Sequence, residues 1–277
     1  MSEFKDKVVV ITGGSGVLGK ALAAAMIQQQ AKVAIIGRNK AKAEAVAKEI
    51  TKEGGTAIGV DADVLNIQSL HTAHEMIKRE IGSCDILING AGGNHPDGTT
   101  SKNFFFEEDV DKTDVRTFFD LDPTGVKYVF DLNFLGTFLP TQVFAKDMIG
   151  KKGCSIINIS STTAGTPLTK IPAYSGAKAA ISNFTQWMAV HFAKAGIRVN
   201  AIAPGFFLTE QNRTLLTTAE GQLTERGQSI ITHTPLGRFG DPDDLKGTLL
   251  WLCSESSRFV TGIVVNVDGG FNAYTGV

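Results

Sequence analysis

The chain has 277 residues, 43% of them hydrophobic, and its 27 basic and 28 acidic residues leave a formal net charge of −1. This balance gives no electrostatic reason to expect nucleic acid or an anionic membrane as a partner, so a small soluble ligand is favoured. The N-terminus lacks the features of a signal peptide, and no apolar run approaches the roughly 20 residues of a membrane span. Three cysteines without disulfide-like spacing suit a reducing compartment. We therefore expect a cytoplasmic protein.

Short β-rich segments alternate with stretches of helical composition along the whole chain. The seven predicted strands are 7–12, 32–37, 56–60, 85–89, 154–160, 198–203 and 263–267. Continuous apolar strands separated by helices predict a parallel sheet covered on both faces. No linker or repeat divides the sequence, so residues 1–277 are predicted to form a single doubly wound α/β domain.

Two long stretches, at about 93–123 and about 205–235, interrupt this alternation. Each follows the carboxyl end of a strand, where open α/β sheets bind ligands, so we expect substrate loops there. The acid-rich run 107–114 is predicted to be solvated. Three consecutive phenylalanines at 104–106 fit a lid over the site, an oligomer contact or packing on the domain, and packing is favoured.

A glycine-rich turn directly follows the first strand and precedes a helix. Glycines let the backbone approach a pyrophosphate, and the helix N-terminus supplies free N–H groups to hold it. In a βαβ context this turn predicts a Rossmann-type dinucleotide site. The predicted contacts in the turn are Thr12, Gly13, Ser15, Gly16, Val17, Leu18 and Gly19.

The ends of the next strands are expected to line the same groove. After the second strand, Arg38 and Asn39 stand where an acidic residue would bind the ribose hydroxyls of NAD; a guanidinium suits a 2′-phosphate, so NADP is favoured and NAD remains possible. The further predicted contacts are Asp63, Val64, Asn89, Gly90, Ala91 and Gly92, although either group could instead be structural capping.

A candidate catalytic set follows the fifth strand. Ser161 closes that strand, and Tyr174 opens a helix with Lys178 one turn later, which places the lysine near the tyrosine hydroxyl. An unperturbed tyrosine has a pKa of about 10, and a nearby cation favours its ionised form. This combination predicts proton transfer by Tyr174.

With these motifs in their order, the chain resembles the short-chain dehydrogenase/reductase family from Lys7 to Gly270. The resemblance implies that Tyr174 exchanges a proton with a substrate oxygen, that Ser161 hydrogen-bonds the same oxygen, and that Lys178 also binds the nicotinamide ribose. It further implies a water-holding role for Asn133. The cofactor contacts that it adds are Tyr174, Lys178, Pro204, Gly205, Phe207 and Thr209. One departure is Val17, which replaces the second glycine of the family's turn.

The two long stretches resemble those of family members that act on hexuronates and hexonates. The implied reaction interconverts D-fructuronate and D-mannonate, which implies NAD(H) as an often used cofactor. The hydroxyls and carboxylate of such a substrate need polar and cationic partners. The candidate substrate contacts are Asn94, His95, Ser161, Thr163, Gln211, Asn212 and Arg213, and no metal site is predicted.

Several alternatives remain open. A gluconate 5-dehydrogenase or a 3-oxoacyl carrier-protein reductase would keep the mechanism and change the substrate. A non-catalytic dinucleotide-binding or sensing protein would keep only the fold. The resemblance also implies a homo-oligomer, a tetramer or dimer, in which the predicted helices near 126–148 and 174–194 could face a second subunit.

Overall fold

The computed structural model of the protein describes residues 2–52, 54–209 and 212–276. All seven predicted strands are present and form one parallel sheet in the order β3-β2-β1-β4-β5-β6-β7. The strands are β1 (Val8–Thr12), β2 (Lys32–Gly37), β3 (Thr56–Asp61), β4 (Ile86–Asn89), β5 (Ser155–Ile159), β6 (Arg198–Pro204) and β7 (Val264–Val267). The predicted single α/β domain is thus confirmed.

Helices cover both faces of the sheet. They are α1 (Val17–Gln28), α2 (Lys40–Ile50), α3 (Ile67–Glu80), α4 (Pro123–Phe130), α5 (Gly136–Phe144), α6 (Pro172–Phe192), α7 (Arg213–Leu216), α8 (Glu225–Thr232) and α9 (Lys246–Cys253). The helix expected near 126–148 is interrupted by a π-helical turn, Asp131–Leu135, between α4 and α5. No helix in the described part of the chain combines the length and apolarity that a membrane crossing needs.

The alternation of side chains along β1 shows how the two cores form. Val9 and Ile11 belong to the hydrophobic cluster on one face of the sheet, and Val8 and Val10 belong to the cluster on the other. Because both faces are buried, the strand is apolar throughout. The strand order reverses between β1 and β4, which opens a crevice at their carboxyl ends.

The two long stretches differ from each other. Residues 93–123 contain only short 3₁₀ turns, at Pro96–Gly98, Glu107–Asp109 and Phe118–Asp120. The second stretch, expected to be a loop, contains the two short helices α7 and α8. Thr224 gave a local helix signal, since its side chain accepts the N–H of Gly227 and caps α8.

The run 107–114 is exposed, as predicted, except at Asp109. Asp109 within it is 1% exposed, and its Oδ1 accepts hydrogen bonds from Lys102 Nζ at 2.6 Å and Lys112 Nζ at 3.0 Å. These two lysines lower the pKa of the Asp109 carboxyl below its usual value. The acidic run therefore contributes an internal ion cluster to the insertion.

Candidate active site

A cleft of about 570 Å³ opens at the carboxyl ends of β1, β2, β4, β5 and β6. It joins the glycine turn to the tyrosine and lysine of α6. The predicted residues that line it are Gly13, Ser15, Gly16, Val17, Leu18, Gly19, Arg38, Asn39, Val64, Gly90, Ala91, Gly92, Ser161, Tyr174, Lys178, Pro204, Gly205, Phe207, Thr209 and Asn212.

The glycine turn has the backbone geometry that a bound pyrophosphate requires. Gly13 has a φ of +66°, and a Cβ there would lie 2.7 Å from the carbonyl oxygen of Gly90. A Cβ on Gly19 would lie 2.5 Å from the carbonyl oxygen of Gly13. Helix α1 begins after Gly16 without a capping side chain and without an acid in its first turn. Its first N–H groups and its positive dipole end are therefore suited to an anion.

The glycine turn keeps its internal hydrogen bond although Val17 stands where the family has a glycine. The N–H of Gly16 donates to the carbonyl of Gly13 at 3.0 Å, and Val17 is the first residue of α1. Its side chain is half-buried and forms part of the cleft wall. The turn thus accommodates a side chain at this position.

Two predicted cofactor contacts lie beneath the cleft and shape it. The buried Thr12 hydroxyl accepts the N–H groups of Gly90 and Ala91 at 3.2 and 3.3 Å. Asn89, 1% exposed, donates from Nδ2 to Asn158 Oδ1 at 2.9 Å. Their side chains therefore support the ends of β1 and β4. The amino-acid sequence alone does not distinguish this supporting role from direct contact with a ligand.

The Asp63 carboxylate forms a hydrogen bond within its own segment of the chain. Its Oδ1 accepts the N–H of Leu65 at 3.0 Å, while its neighbours Ala62 and Val64 line the cleft. This is the structural capping that the sequence left open for the segment after β3.

The end of β2 carries two cations. Arg38 and Lys42 both line the cleft, and Asn39 between them caps α2 by accepting the N–H of Lys42 at 2.9 Å. A Cβ on Gly37 would lie 2.9 Å from Ser15 Oγ, so the strand end fits closely against the glycine turn. Sequence reasoning missed Lys42, although its spacing of four residues from Arg38 at a helix start was a usable signal.

Lys178 is buried behind Tyr174. Its Nζ donates to the carbonyl of Ile159 at 2.8 Å and lies 5.6 Å from the centroid of the Tyr174 ring. Burial lowers the pKa of Lys178 from 10.5 to about 8. Since the ammonium is only 4% exposed, this charge is held at the inner end of the cleft.

Tyr174 is held in its protonated form at neutral pH. Burial raises the pKa of its phenol, and a hydrogen bond offered by Ser161 lowers that pKa in part. The sequence predicted that Lys178 would favour the phenolate, but in the structure desolvation is the larger effect. Ser161 is itself oriented by the N–H of Thr163, which donates to its Oγ at 3.2 Å.

Asn133 lies in the π-helical turn and is fully buried. Its Nδ2 donates to the carbonyls of Gly93 and Val129 at 2.7 Å each, and its Oδ1 accepts the N–H of Gly93 at 3.3 Å. A Cβ on Gly92 would lie 2.6 Å from Oδ1 and 3.1 Å from Lys178 Nζ. Asn133 therefore anchors the loop after β4 against Lys178, and π-turns often occur at functional sites.

The predicted substrate residues of the first long loop bond within that loop. Asn94 Nδ2 donates to Thr99 Oγ1 at 3.0 Å, and His95 Nδ1 accepts the N–H of Asp97 at 3.3 Å. The His95 ring packs edge-on against Tyr128. Neither Asn94 nor His95 is among the described residues of the cleft wall.

The other predicted substrate contacts lie partly in the cleft wall and partly outside it. Asn212 lines the cleft but accepts the N–H of Thr209 at 2.7 Å and donates to the carbonyl of Phe207 at 2.9 Å, which ties the loop after β6 together. Arg213 is exposed at the start of α7. Thr163 is buried beside Ser161, and its hydroxyl has no partner within the described residues. Gln211 lies outside the described residues.

The sheet order, the glycine turn and the Ser161, Tyr174 and Lys178 set define a class of enzyme. A family model described as short chain dehydrogenase matches residues 7–220, and the chain belongs to that family of oxidoreductases, which act on CH–OH groups.

Similar proteins agree with this assignment. A Bacillus subtilis protein carrying the name "Uncharacterized oxidoreductase UxuB" is 55% identical over 98% of this chain and 96% of its own. A Haemophilus influenzae crystal structure, provisionally named a D-mannonate oxidoreductase and containing bound NAD, is 52% identical with a TM-score of 0.93, covering 99% of this chain and 97% of that one. A Burkholderia cenocepacia gluconate 5-dehydrogenase in complex with NADP and tartrate is 28% identical with a TM-score of 0.84 over 99% of both chains.

Proposed function

We propose that this chain is a fructuronate reductase, or D-mannonate oxidoreductase, which transfers hydride between NAD(P)(H) and the sugar acid. The observation that carries the chemistry is the placement of Ser161, Tyr174 and Lys178 at the inner end of a cleft whose outer end fits a dinucleotide. The provisional name of the Haemophilus influenzae relative supports the substrate.

The proposed mechanism assigns proton transfer to Tyr174. In reduction, its neutral phenol donates a proton to the carbonyl oxygen, while the Ser161 hydroxyl hydrogen-bonds the same oxygen and orients it. In oxidation, the phenolate takes the proton of the substrate alcohol. The nicotinamide, when bound, supplies or accepts the hydride. Because burial raises the pKa of Tyr174, oxidation should accelerate as the pH rises.

Lys178 has two proposed roles. Its ammonium, held by the Ile159 carbonyl, provides positive potential next to the Tyr174 ring, which stabilises the phenolate once the proton has moved. It is also placed to bind a ribose hydroxyl of the cofactor. Its pKa of about 8 keeps most of this charge at neutral pH.

We favour NADP as the cofactor and keep NAD as a working alternative. The two cations Arg38 and Lys42 beside the cleft suit a 2′-phosphate, and the described end of β2 carries no carboxylate for a ribose diol. Relatives of both kinds exist, one with bound NAD and one with NADP.

The proposed substrate contacts come mainly from the two long loops. Asn94, His95, Gln211 and Arg213 stay proposed contacts that require the two long loops to meet the substrate. Gluconate 5-dehydrogenase is the second candidate, because the Burkholderia cenocepacia enzyme with that activity shares the fold over 99% of the chain. The complete catalytic set argues against a non-catalytic binding protein.

We also propose a homo-oligomer, built through an aromatic face on α6. The Trp187 ring stacks on His191 with centroids 4.7 Å apart, and Trp187 and Val190 are 56% and 80% exposed. Exposed apolar clusters of this kind mark association surfaces. Light scattering coupled to gel filtration gives the subunit number, and a monomer would contradict the proposal.

The substrate is tested by initial rates of oxidation of D-mannonate, D-gluconate and other aldonates, with NAD and NADP separately, following reduced nicotinamide by absorbance. Preferential turnover of D-mannonate is expected. Preferential turnover of D-gluconate would replace the substrate assignment while leaving the chemistry intact. Turnover only of acyl or unrelated ketones would reject a sugar-acid enzyme.

A further inference from the structure

The first turn of α6 carries Tyr174, and no side chain at its N-cap position caps the helix. Ile171 occupies the N-cap position without a side-chain hydrogen bond. Lys170 before it has a φ of +73°, a left-handed conformation that is costly for a residue with a side chain. No side chain at the N-cap fixes this helix start, so its position depends on contacts with other segments of the chain.

The insertion makes such contacts through the turn Pro96–Gly98 and through Thr100. Thr100, just after the turn, donates its N–H to the carbonyl of Lys170 at 2.9 Å. Gly98 is buried against Ala173, since a Cβ on Gly98 would lie 3.4 Å from the Ala173 Cβ. The insertion therefore contacts the chain on both sides of the N-cap.

The same turn is fastened to α4. The carbonyl of Asp97 accepts the N–H of Asp122 at 3.1 Å. Gly125 leaves room for Asp97, because a Cβ on Gly125 would lie 2.6 Å from the Asp97 Cβ. The turn is thus wedged between α4 and α6.

Arg116 holds this turn from the far end of the insertion. Its Nη1 donates to the carbonyl of Pro96 at 2.5 Å, and its Nη2 lies 3.3 Å from Asp97 Oδ1. Its backbone is in turn anchored to Ser101, whose N–H donates to the Arg116 carbonyl and whose Oγ accepts the Arg116 N–H, both at 2.9 Å. A planar guanidinium makes two such contacts in a fixed geometry, which a lysine cannot reproduce.

The geometry points to Arg116 as a positioning residue for Tyr174. Arg116 fixes the Pro96–Gly98 turn, and the turn with the adjoining Thr100 holds the start of α6, which carries Tyr174. Arg116 itself is not among the described residues that line the cleft. This inference rests on the proposed role of Tyr174 and is independent of which sugar acid is the substrate.

The test compares Arg116→Gln with wild type in two measurements. Hydrogen exchange of the peptide spanning residues 168–180 requires no substrate, and exchange should become faster in the variant. The kcat, measured with whichever alcohol the wild type oxidises fastest, should fall by about tenfold, since small displacements of a reacting group are costly. The KM for the nicotinamide cofactor should stay within about twofold, as Arg116 is not among the described cleft residues.

The pH profile separates positioning from a general loss of stability. Ser161 lowers the pKa of Tyr174, so a displaced Tyr174 loses this effect and the rising limb of the oxidation rate should move to higher pH. Arg116→Lys keeps the charge and should recover part of kcat. Asp97→Asn should reproduce the effect, and combining it with Arg116→Gln should add little.

The matched control is Arg79→Gln, which removes an exposed arginine paired with the adjacent Glu80 on α3. It should leave exchange, kcat and the pH profile unchanged. Unchanged exchange and kcat in Arg116→Gln would overturn the inference, as would a kcat loss without a pH shift. Faster exchange in a protein whose wild type fails to oxidise D-mannonate would reject the substrate and retain the positioning role.

Discussion

The inner end of the cleft and the insertion at 93–123 are built in opposite ways. At the inner end, Ser161 and Lys178 are 7% and 4% exposed, and each is oriented by a backbone group. On the insertion, Phe104 and Phe119 are 71% and 74% exposed, and polar groups such as Asn94 bond to their own loop. The proposed catalytic groups are therefore held by a buried scaffold, whereas the proposed substrate contacts Asn94 and His95 lie on a loop whose polar groups hydrogen-bond within the loop.

The buried scaffold extends below the catalytic residues. Asn89 donates to Asn158, and Asn158 donates from its own Nδ2 to Thr185 Oγ1 at 2.9 Å, linking β4, β5 and α6. Such a network orders the strand ends because an unpaired polar group in this environment is costly. The insertion meets the cleft at Gly93, whose carbonyl and N–H are both hydrogen-bonded to the buried Asn133.

The strongest test of the inner end is Tyr174→Phe. If this phenol transfers the proton, turnover should fall by about 10²- to 10⁴-fold, as is typical when a general acid or base is removed. Cofactor affinity, measured by nicotinamide fluorescence, should stay near that of wild type. Turnover within tenfold of wild type would remove Tyr174 from the mechanism.

The buried Lys178 makes the free energy of unfolding of the protein depend on pH. The pKa of Lys178 is about 8 in the folded protein and 10.5 in the unfolded chain, so the unfolded chain binds the proton more tightly. The buried ammonium therefore lowers the free energy of unfolding below pH 8, and this loss disappears as the pH rises to 10.5. Relative to Lys178→Met, the free energy of unfolding of wild type should increase by about 3 kcal/mol between pH 7 and 10.5. Urea unfolding measures the difference, and the exposed Lys48→Met serves as the control. A constant difference would show that the ammonium is not desolvated.

Arg38 tests the outer end of the cleft. Arg38→Gln should lower kcat/KM for NADP by about 10- to 100-fold, the value of one or two charge-assisted hydrogen bonds, and leave NAD unaffected. Lys42→Gln should act in the same direction with a smaller effect. Lys40→Gln, an exposed change outside the described cleft wall, is the control. Equal losses with both cofactors would reject recognition of the 2′-phosphate.

The smallest effect on turnover is expected from Asp109→Asn in the insertion. Removing the carboxylate leaves Lys102 and Lys112 facing each other, so limited proteolysis within 102–115 should become faster while kcat changes by less than tenfold. Because the pKa of Asp109 is lowered, the wild-type cluster should persist until the pH falls below about 3.8. Asp111→Asn, at an exposed position, should cleave as wild type does. If it cleaves as fast as Asp109→Asn, the buried cluster does not order the insertion.

Much of the fold and of the catalytic set follows from local patterns. Apolar runs such as Val8–Thr12 predict buried parallel strands, and the spacing of Tyr174 and Lys178 places both on one helical face whatever surrounds them. The glycine turn is equally local, because Gly13 and Gly19 approach backbone within a few residues or at the adjacent strand. These features depend on periodicity and backbone conformation, which sequence displays directly.

Other features required the tertiary structure. The burial of Asp109, the bonds of Asn133 to the loop after β4 and the contact of Arg116 with the Pro96–Gly98 turn join residues whose partners no short pattern specifies. The direction of the Tyr174 pKa shift also depends on burial, which outweighs the hydrogen bond of Ser161 and is decided by the packing around the phenol. The architecture and the candidate catalytic set could be read from the amino-acid sequence, since both depend on local geometry. The three-dimensional packing decided how those groups are oriented and protonated, because long-range contacts and desolvation set both.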